Sequence, residues 1–163
     1  MSIEQRIEPN RAQNFDPHCW MGQVLDHFAR AEQAIGRLAV AVGLPINNGS
    51  LSSLNELRNR LSSQNSRKFR ALDNRIARWS KNRPFRHLLA HATITSLFDV
   101  NGRPVIVTRH LPRDAMDVTP DRLWTFEDQS ELLRQATSDS RSICDQIKNI
   151  LADPKQLSLL IKS

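Results

Sequence analysis

Cysteine is scarce in this chain: Cys19 and Cys144 are its only two, and each falls within an apolar helical pattern. Two thiols make no disulfide framework, and a zinc site would need further ligands beside them. Both read as small side chains packed inside a protein of a reducing compartment. Long apolar runs are missing as well. No stretch approaches the ~20 residues that cross a bilayer as a helix, and residues 1–14 lack the apolar core of a secretory signal. A cytoplasmic protein without a membrane partner is therefore expected. No internal repeat and no low-complexity tract is found.

What is present is positive charge on helical patterning. The 163 residues suit a single domain that needs no covalent staples. Lys and Arg number 23 against 17 Asp and Glu, a formal charge of +6. Such a balance is compatible with a polyanionic partner, although it bears on steering and solubility rather than on fold.

Residues 1–15 have little to bury and are expected to form a loose arm, with residues 16–163 as the folded domain. Asp16-Pro17 is a helix start: the carboxylate caps free N–H groups and the proline presets φ in the first turn. Trp20, Val24, Phe28, Ala31, Ile35, Leu38 and Val42 then recur at steps of three and four, predicting a first helix over 17–42 that Gly43 and Pro45 end. A turn-rich linker over 47–53 leads to Leu51, Leu54, Leu57 and Leu61, the stripe of a second helix. Ser62 to Ser66 has low helix propensity and predicts a break or kink. Phe69, Leu72, Ile76 and Trp79 resume the stripe. Arg67, Lys68, Arg70, Arg75, Arg78, Lys81, Arg83 and Arg86 surround it, offset between 67 and 86 by Asp73 alone. This basic face is the footprint expected of a surface for phosphate backbones, and Arg75, Arg78, Lys81 and Arg83 are the candidate RNA contacts; a merely solvated face is the alternative.

Asn82, as cap, and Pro84 open a short third helix running to about residue 93. The period then changes to two. Residues 93–100 and 104–108 are rich in Ile, Val, Thr and Phe, and Asn101-Gly102 between them predicts a hairpin over about 93–109 closed by a type I′ turn. Alone it would be marginal, so it should pack on a helix or pair with another chain. A proline-bounded loop follows over 111–120. Thr125 caps the last helix, with Asp128 completing a capping box, and Asp153-Pro154 stops it. The expected fold is mainly α: an antiparallel four-helix bundle with a β-hairpin inserted between the third and last helices.

The third helix carries the residues with chemistry. Arg83, Arg86, His87 and His91 lie within nine residues. A guanidinium offers planar paired donors that match phosphate oxygens, and an imidazole accepts and donates a proton near neutrality. Cleavage of an RNA phosphodiester asks for those two functions: a base for the 2′-hydroxyl, an acid for the leaving 5′-oxygen, and a cation beside the transition state. Arg86 and His91 stand about 140° apart around a helix, which favours a site shared by two chains over one completed within a single helix. His87 and His91 are four apart and share a face. That is also metal-ligand spacing, but it lacks a zincin glutamate and a third ligand, so no metal and no cofactor is expected.

Arg86-His87-Leu88-Leu89-Ala90-His91 resembles the Arg-polar-x-x-x-His motif of the HEPN superfamily, helical bundles many of which are metal-independent endoribonucleases of toxin–antitoxin and defence systems. The resemblance covers the helix order over about 17–152, and its specific part is six residues. It implies that Arg86 binds and polarises the phosphate, that His91 is the acid/base, and that His87, where asparagine or aspartate is usual, orients them. It implies as partners RNA, a second copy of the chain and an antitoxin; an associated nucleotidyltransferase would leave no trace in this chain. Departures are His87 itself, Ala92 where glycine often follows, and the hairpin immediately downstream. The alternative reading is a non-catalytic helical module that binds nucleic acid or a partner protein. Arg86 would then pair with an acid such as Glu32, and His91 would be a core histidine. His27 and Trp79 read as packing residues and His110 as a surface residue.

Overall fold

The computed structural model describes residues 16–45, 53–110 and 121–161. The expected arm over 1–15, the linker up to residue 52 and the loop over 111–120 lie outside the described residues. Helix α1 (Pro17–Ala41) starts as its sequence dictates, with Asp16 Oδ1 accepting the His18 N–H at 2.8 Å. It ends before Gly43, whose φ of +77° only glycine adopts without strain. The predicted break is a full interruption: Gln64 and Ser66 are extended, and they separate α2 (Leu54–Ser63) from α3 (Arg67–Lys81). Ser53 does not cap α2 through its side chain; its hydroxyl donates to the Pro45 carbonyl instead. Asn82 is at once the last turn of α3 and the start of α4 (Arg83–His91).

Helix α5 (Phe126–Leu151) opens on the predicted capping box, with Thr125 Oγ1 accepting the Asp128 N–H and Asp128 Oδ2 accepting the Thr125 N–H, both at 3.1 Å. Asp153-Pro154 ends this helix but also begins another, α6 (Pro154–Ile161). Asp153 Oδ1 accepts the N–H groups of Lys155 and Gln156 at 3.0 and 3.3 Å, so the residues read as a stop are equally an N-cap and a first-turn proline.

Four antiparallel helices are thus not what forms. Among the described residues there are six helices, and the two longest run parallel. Trp20 Nε1 donates to the Gln129 carbonyl at 3.0 Å, and about three turns further along α1 and about four further along α5 Cys144 Sγ lies 3.7 Å from the Arg30 carbonyl. Helix α3 is antiparallel to α5, since Arg75 meets Asp139 while Asn82, further on, meets Gln135 further back. The reason is the connection: α4 and three strands carry the chain across before α5 begins, so α5 need not reverse α1.

Those strands are β1 (Ala92–Phe98), β2 (Pro104–His110) and β3 (Arg122–Trp124), an antiparallel sheet in the order β1-β2-β3. The hairpin is present, but its turn is not the expected type I′. Asp99 N donates to the Arg103 carbonyl and Gly102 N to the Asp99 carbonyl, each at 2.9 Å, enclosing a three-residue loop with Gly102 at φ +72°. Asp99 decides this, because its Oδ1 accepts the N–H groups of Asn101 and Arg103 at 2.8 and 2.9 Å and holds the wider loop closed. The third strand places Trp124 opposite Ile106, both buried, and Trp124 Nε1 donates to Thr108 Oγ1 at 3.0 Å.

Trp124 fastens the sheet to the helices. Its ring lies 5.6 Å from Trp20 of α1 and 5.3 Å, edge-on, from Phe85 of α4. Gln129 of α5, itself buried, donates from Nε2 to the carbonyls of Pro104 and Trp124 at 3.1 and 3.0 Å. Phe28, Ile35, Leu38, Phe69, Ile76 and Trp79 fill the helical layer; each large apolar side chain so buried contributes about 1.5–3 kcal/mol. No described helix is long and apolar enough to cross a membrane.

Candidate functional site

Helix α4 is positioned by what it buries. Leu88 and Leu89 are buried and Phe85 packs against the core, which at 100° per residue turns Arg83, Arg86, His87, Ala90 and His91 outward in one arc. Pro84 sits in the first turn, where its missing N–H costs nothing. Asn82 does not cap through its side chain as expected; Nδ2 donates to Gln135 Oε1 at 2.9 Å and so ties the start of α4 to α5. At the other end His91 is the last helical residue, and Ala92 opens β1 opposite His110. The helix is thereby held at both ends.

Within the arc, His87 and His91 come together: their ring centroids are 4.6 Å apart, with planes tilted by 53°. His91 is exposed, not a core histidine, and His87 is half-buried. Arg86 stands on the opposite border of the arc, where Nη2 lies 3.7 Å from Oε2 of Glu32 on α1. Arg83 Nη2 reaches Oε1 of the same carboxylate at 3.4 Å and also stacks over Trp79, 5.5 Å from the ring. One carboxylate therefore faces two guanidiniums, leaving a net positive charge beside the histidine pair. Ala90, small and exposed, lies between the two borders. Among the described residues no group of three His, Cys, Asp or Glu could hold a metal ion.

The basic face of α3 divides in two. Arg75 Nη1 and Arg78 Nε bond Asp139 Oδ1 on α5 at 3.0 and 2.9 Å, and Asp139 is only 1% exposed. Burial pushes this carboxyl up from the ordinary aspartate value, against the downward pull of Arg78. Arg75 and Arg78 thus have structural work holding α3 to α5. Lys81, Arg67 and Lys68 are exposed.

Two residues near the site did not stand out in the sequence. Arg122 of β3 lays its guanidinium 4.3 Å from the Phe85 ring and 4.1 Å from the Trp124 ring, bridging α4 and the sheet. Asp139 sits beside the α5 stripe, three residues after Ala136, and a lone carboxylate there was the available signal. Trp79 is buried, as read. His110 is half-buried rather than at the surface. His27 is half-buried with Nδ1 lacking a hydrogen-bond partner, and burial lowers its pKa below the ordinary 6.5.

No protein-family model, no curated protein and no solved structure matches this chain.

Proposed function

We propose that the protein is a metal-independent endoribonuclease of HEPN type, acting as a homodimer, and that Arg86, His87 and His91 are its working residues. The observation that carries this reading is the paired, solvent-reachable imidazoles of His87 and His91, 4.6 Å apart, on the same outward arc as two guanidiniums. In the proposed reaction His91 takes the proton of the RNA 2′-hydroxyl. The 2′-oxygen attacks phosphorus, the bond to the 5′-oxygen breaks, and that oxygen leaves with a proton. Arg86 steadies the equatorial phosphate oxygens as charge builds. His87 orients His91. Because Arg86 and His91 stand on opposite borders of the arc, the acid for the leaving group is assigned to the motif of a second copy. Toxin or defence roles, with an antitoxin or nucleotidyltransferase partner, follow from the same resemblance.

Purified protein is incubated with labelled RNA in EDTA and the new ends are mapped. Expected are a 2′,3′-cyclic phosphate at the upstream fragment and loss of cleavage in folded Arg86→Ala and His91→Ala proteins. Wild-type cleavage by both variants would falsify the catalytic assignment.

A second reading has its own observation. The Arg86–Glu32 contact is a pairing that a purely structural arginine would make, and it fits a non-catalytic module that binds nucleic acid or a partner protein. Salt-sensitive RNA binding without cleavage, from a protein that stays monomeric at high concentration, would select it.

A further inference from the structure

The parallel run of α1 and α5 leaves an open groove of about 570 Å³ on the surface between them. Its floor is apolar, made by Ala34 of α1 with Ile147 and Leu151 of α5, and Ile147 is buried. Its rim is cationic: Arg30 and Arg37 come from α1 and Lys148 from α5. Arg30 is bonded to Asp26 on its own helix at 2.7 Å. Arg37 and Lys148 have no carboxylate partner among the described residues, and both are exposed. An apolar floor between unneutralised cations asks for an occupant that is apolar on one face and anionic on both flanks.

We propose that this groove docks an acidic amphipathic helix from a partner protein. Three features fit that occupant. Two parallel helices form the walls, so a third can lie between them with apolar side chains at i, i+3 or i+4, and i+7 over Ala34, Ile147 and Leu151. Arg37 and Lys148, the two cations without a carboxylate partner among the described residues, stand on opposite walls, so an incoming helix with glutamates on both flanks meets one on each side. The chain's charge of +6 steers acidic surfaces toward it. A nucleic-acid backbone matches the rim but leaves the apolar floor unfilled. The polar groups stand at the rim, so a free small anion has nothing inside the groove to fix its orientation.

The two cysteines give the test an internal control. Neither thiol is packed inside as the sequence suggested: Cys144 is half-buried and lines this groove, and Cys19 is exposed in the first turn of α1. Maleimide labelling of the full chain is followed at each thiol with three probes. Two are synthetic 14-residue helices sharing one leucine stripe, flanked by glutamates in the first and by lysines in the second; the third is an RNA oligonucleotide. The glutamate peptide should slow labelling of Cys144 at least fivefold, leave Cys19 unchanged, and bind at least tenfold more weakly to Arg37→Glu/Lys148→Glu protein by fluorescence anisotropy. Equal protection by the lysine peptide, protection of Cys144 by RNA instead, equal protection of Cys19, or no effect of the charge reversal each overturns the proposal. None of these outcomes depends on RNA cleavage.

Discussion

Arg86 Nη2 lies 3.7 Å from Glu32 Oε2, across the boundary between α4 and α1. A phosphate arriving at Arg86 must share it with this carboxylate. Two unit charges about 4 Å apart interact by ~1 kcal/mol in water, so removing the competitor is worth up to about fivefold in affinity. Glu32→Gln is expected to bind RNA about two- to fivefold more tightly, with a steeper dependence on salt, as read by fluorescence anisotropy. Its stability should fall by less than ~1 kcal/mol, because Arg86 is 40% exposed and such pairs contribute little. Unchanged RNA affinity would remove Arg86 from the phosphate site.

The Asp139 cluster should respond asymmetrically to its two halves. Asp139→Asn leaves Arg75 and Arg78 free to turn to water, since they are 28% and 53% exposed; the expected loss is about 1–3 kcal/mol, the scale of lost charge-assisted hydrogen bonds. Arg75→Met/Arg78→Met strands a buried carboxylate, and the expected loss is about 3–5 kcal/mol. Urea denaturation orders the two. A larger loss for Asp139→Asn would contradict the burial argument. Weak RNA binding by the double variant should accordingly be read only with its folded fraction in hand.

His27 gives the fold an acid-sensitive component. Burial is the largest cause of its depressed pKa; attraction to Asp26 opposes it, and repulsion from Arg30 and Arg141 adds to it. The unfolded chain therefore takes up this proton first as the pH drops. The stability tied to neutral His27 is complete above the ordinary value of 6.5 and is lost as the pH falls below it. Between pH 7.5 and 5.5 the urea midpoint of wild-type protein should fall further than that of His27→Gln. Identical shifts in the two proteins would dismiss the residue as a pH-sensitive element.

Arg122 should behave as a packing residue with a polar tip. Its guanidinium lies over Phe85 and Trp124, which joins the helix bearing the histidine pair to the sheet. Arg122→Ala is expected to cost about 1–2 kcal/mol, and Arg122→Lys should restore less than half of that, since an ammonium cannot stack as a planar group does. Full rescue by lysine would mean that charge alone matters there.

Local signals in the sequence carried the element starts and breaks. Asp16-Pro17, Gly43, the weak helix formers at 62–66 and the Thr125/Asp128 box act through backbone groups a few residues away, so they are legible without tertiary context. Distant partners were not. Strand β3 has three residues and shows no usable alternation; it exists because Trp124 finds Ile106 and Thr108. The parallel arrangement of α1 and α5 depends on how the sheet returns the chain, which no periodicity encodes. At the site, helical spacing put His87 beside His91 and Glu32 was already legible as an acid within reach of Arg86, whereas the sharing of that one carboxylate between Arg83 and Arg86 needed the fold.

The pairing of α1 with α5 also sets a schedule for synthesis. Trp20 meets Gln129, 109 residues later in the chain. At translation speeds of about 5–20 residues per second, α1 emerges from the ribosome roughly 5–20 s before its longest partner exists. During that interval the face of α1 destined for α5 has no native cover. The first helix is thus made long before the helix it packs on, and its apolar stripe waits for most of the chain's synthesis to be covered.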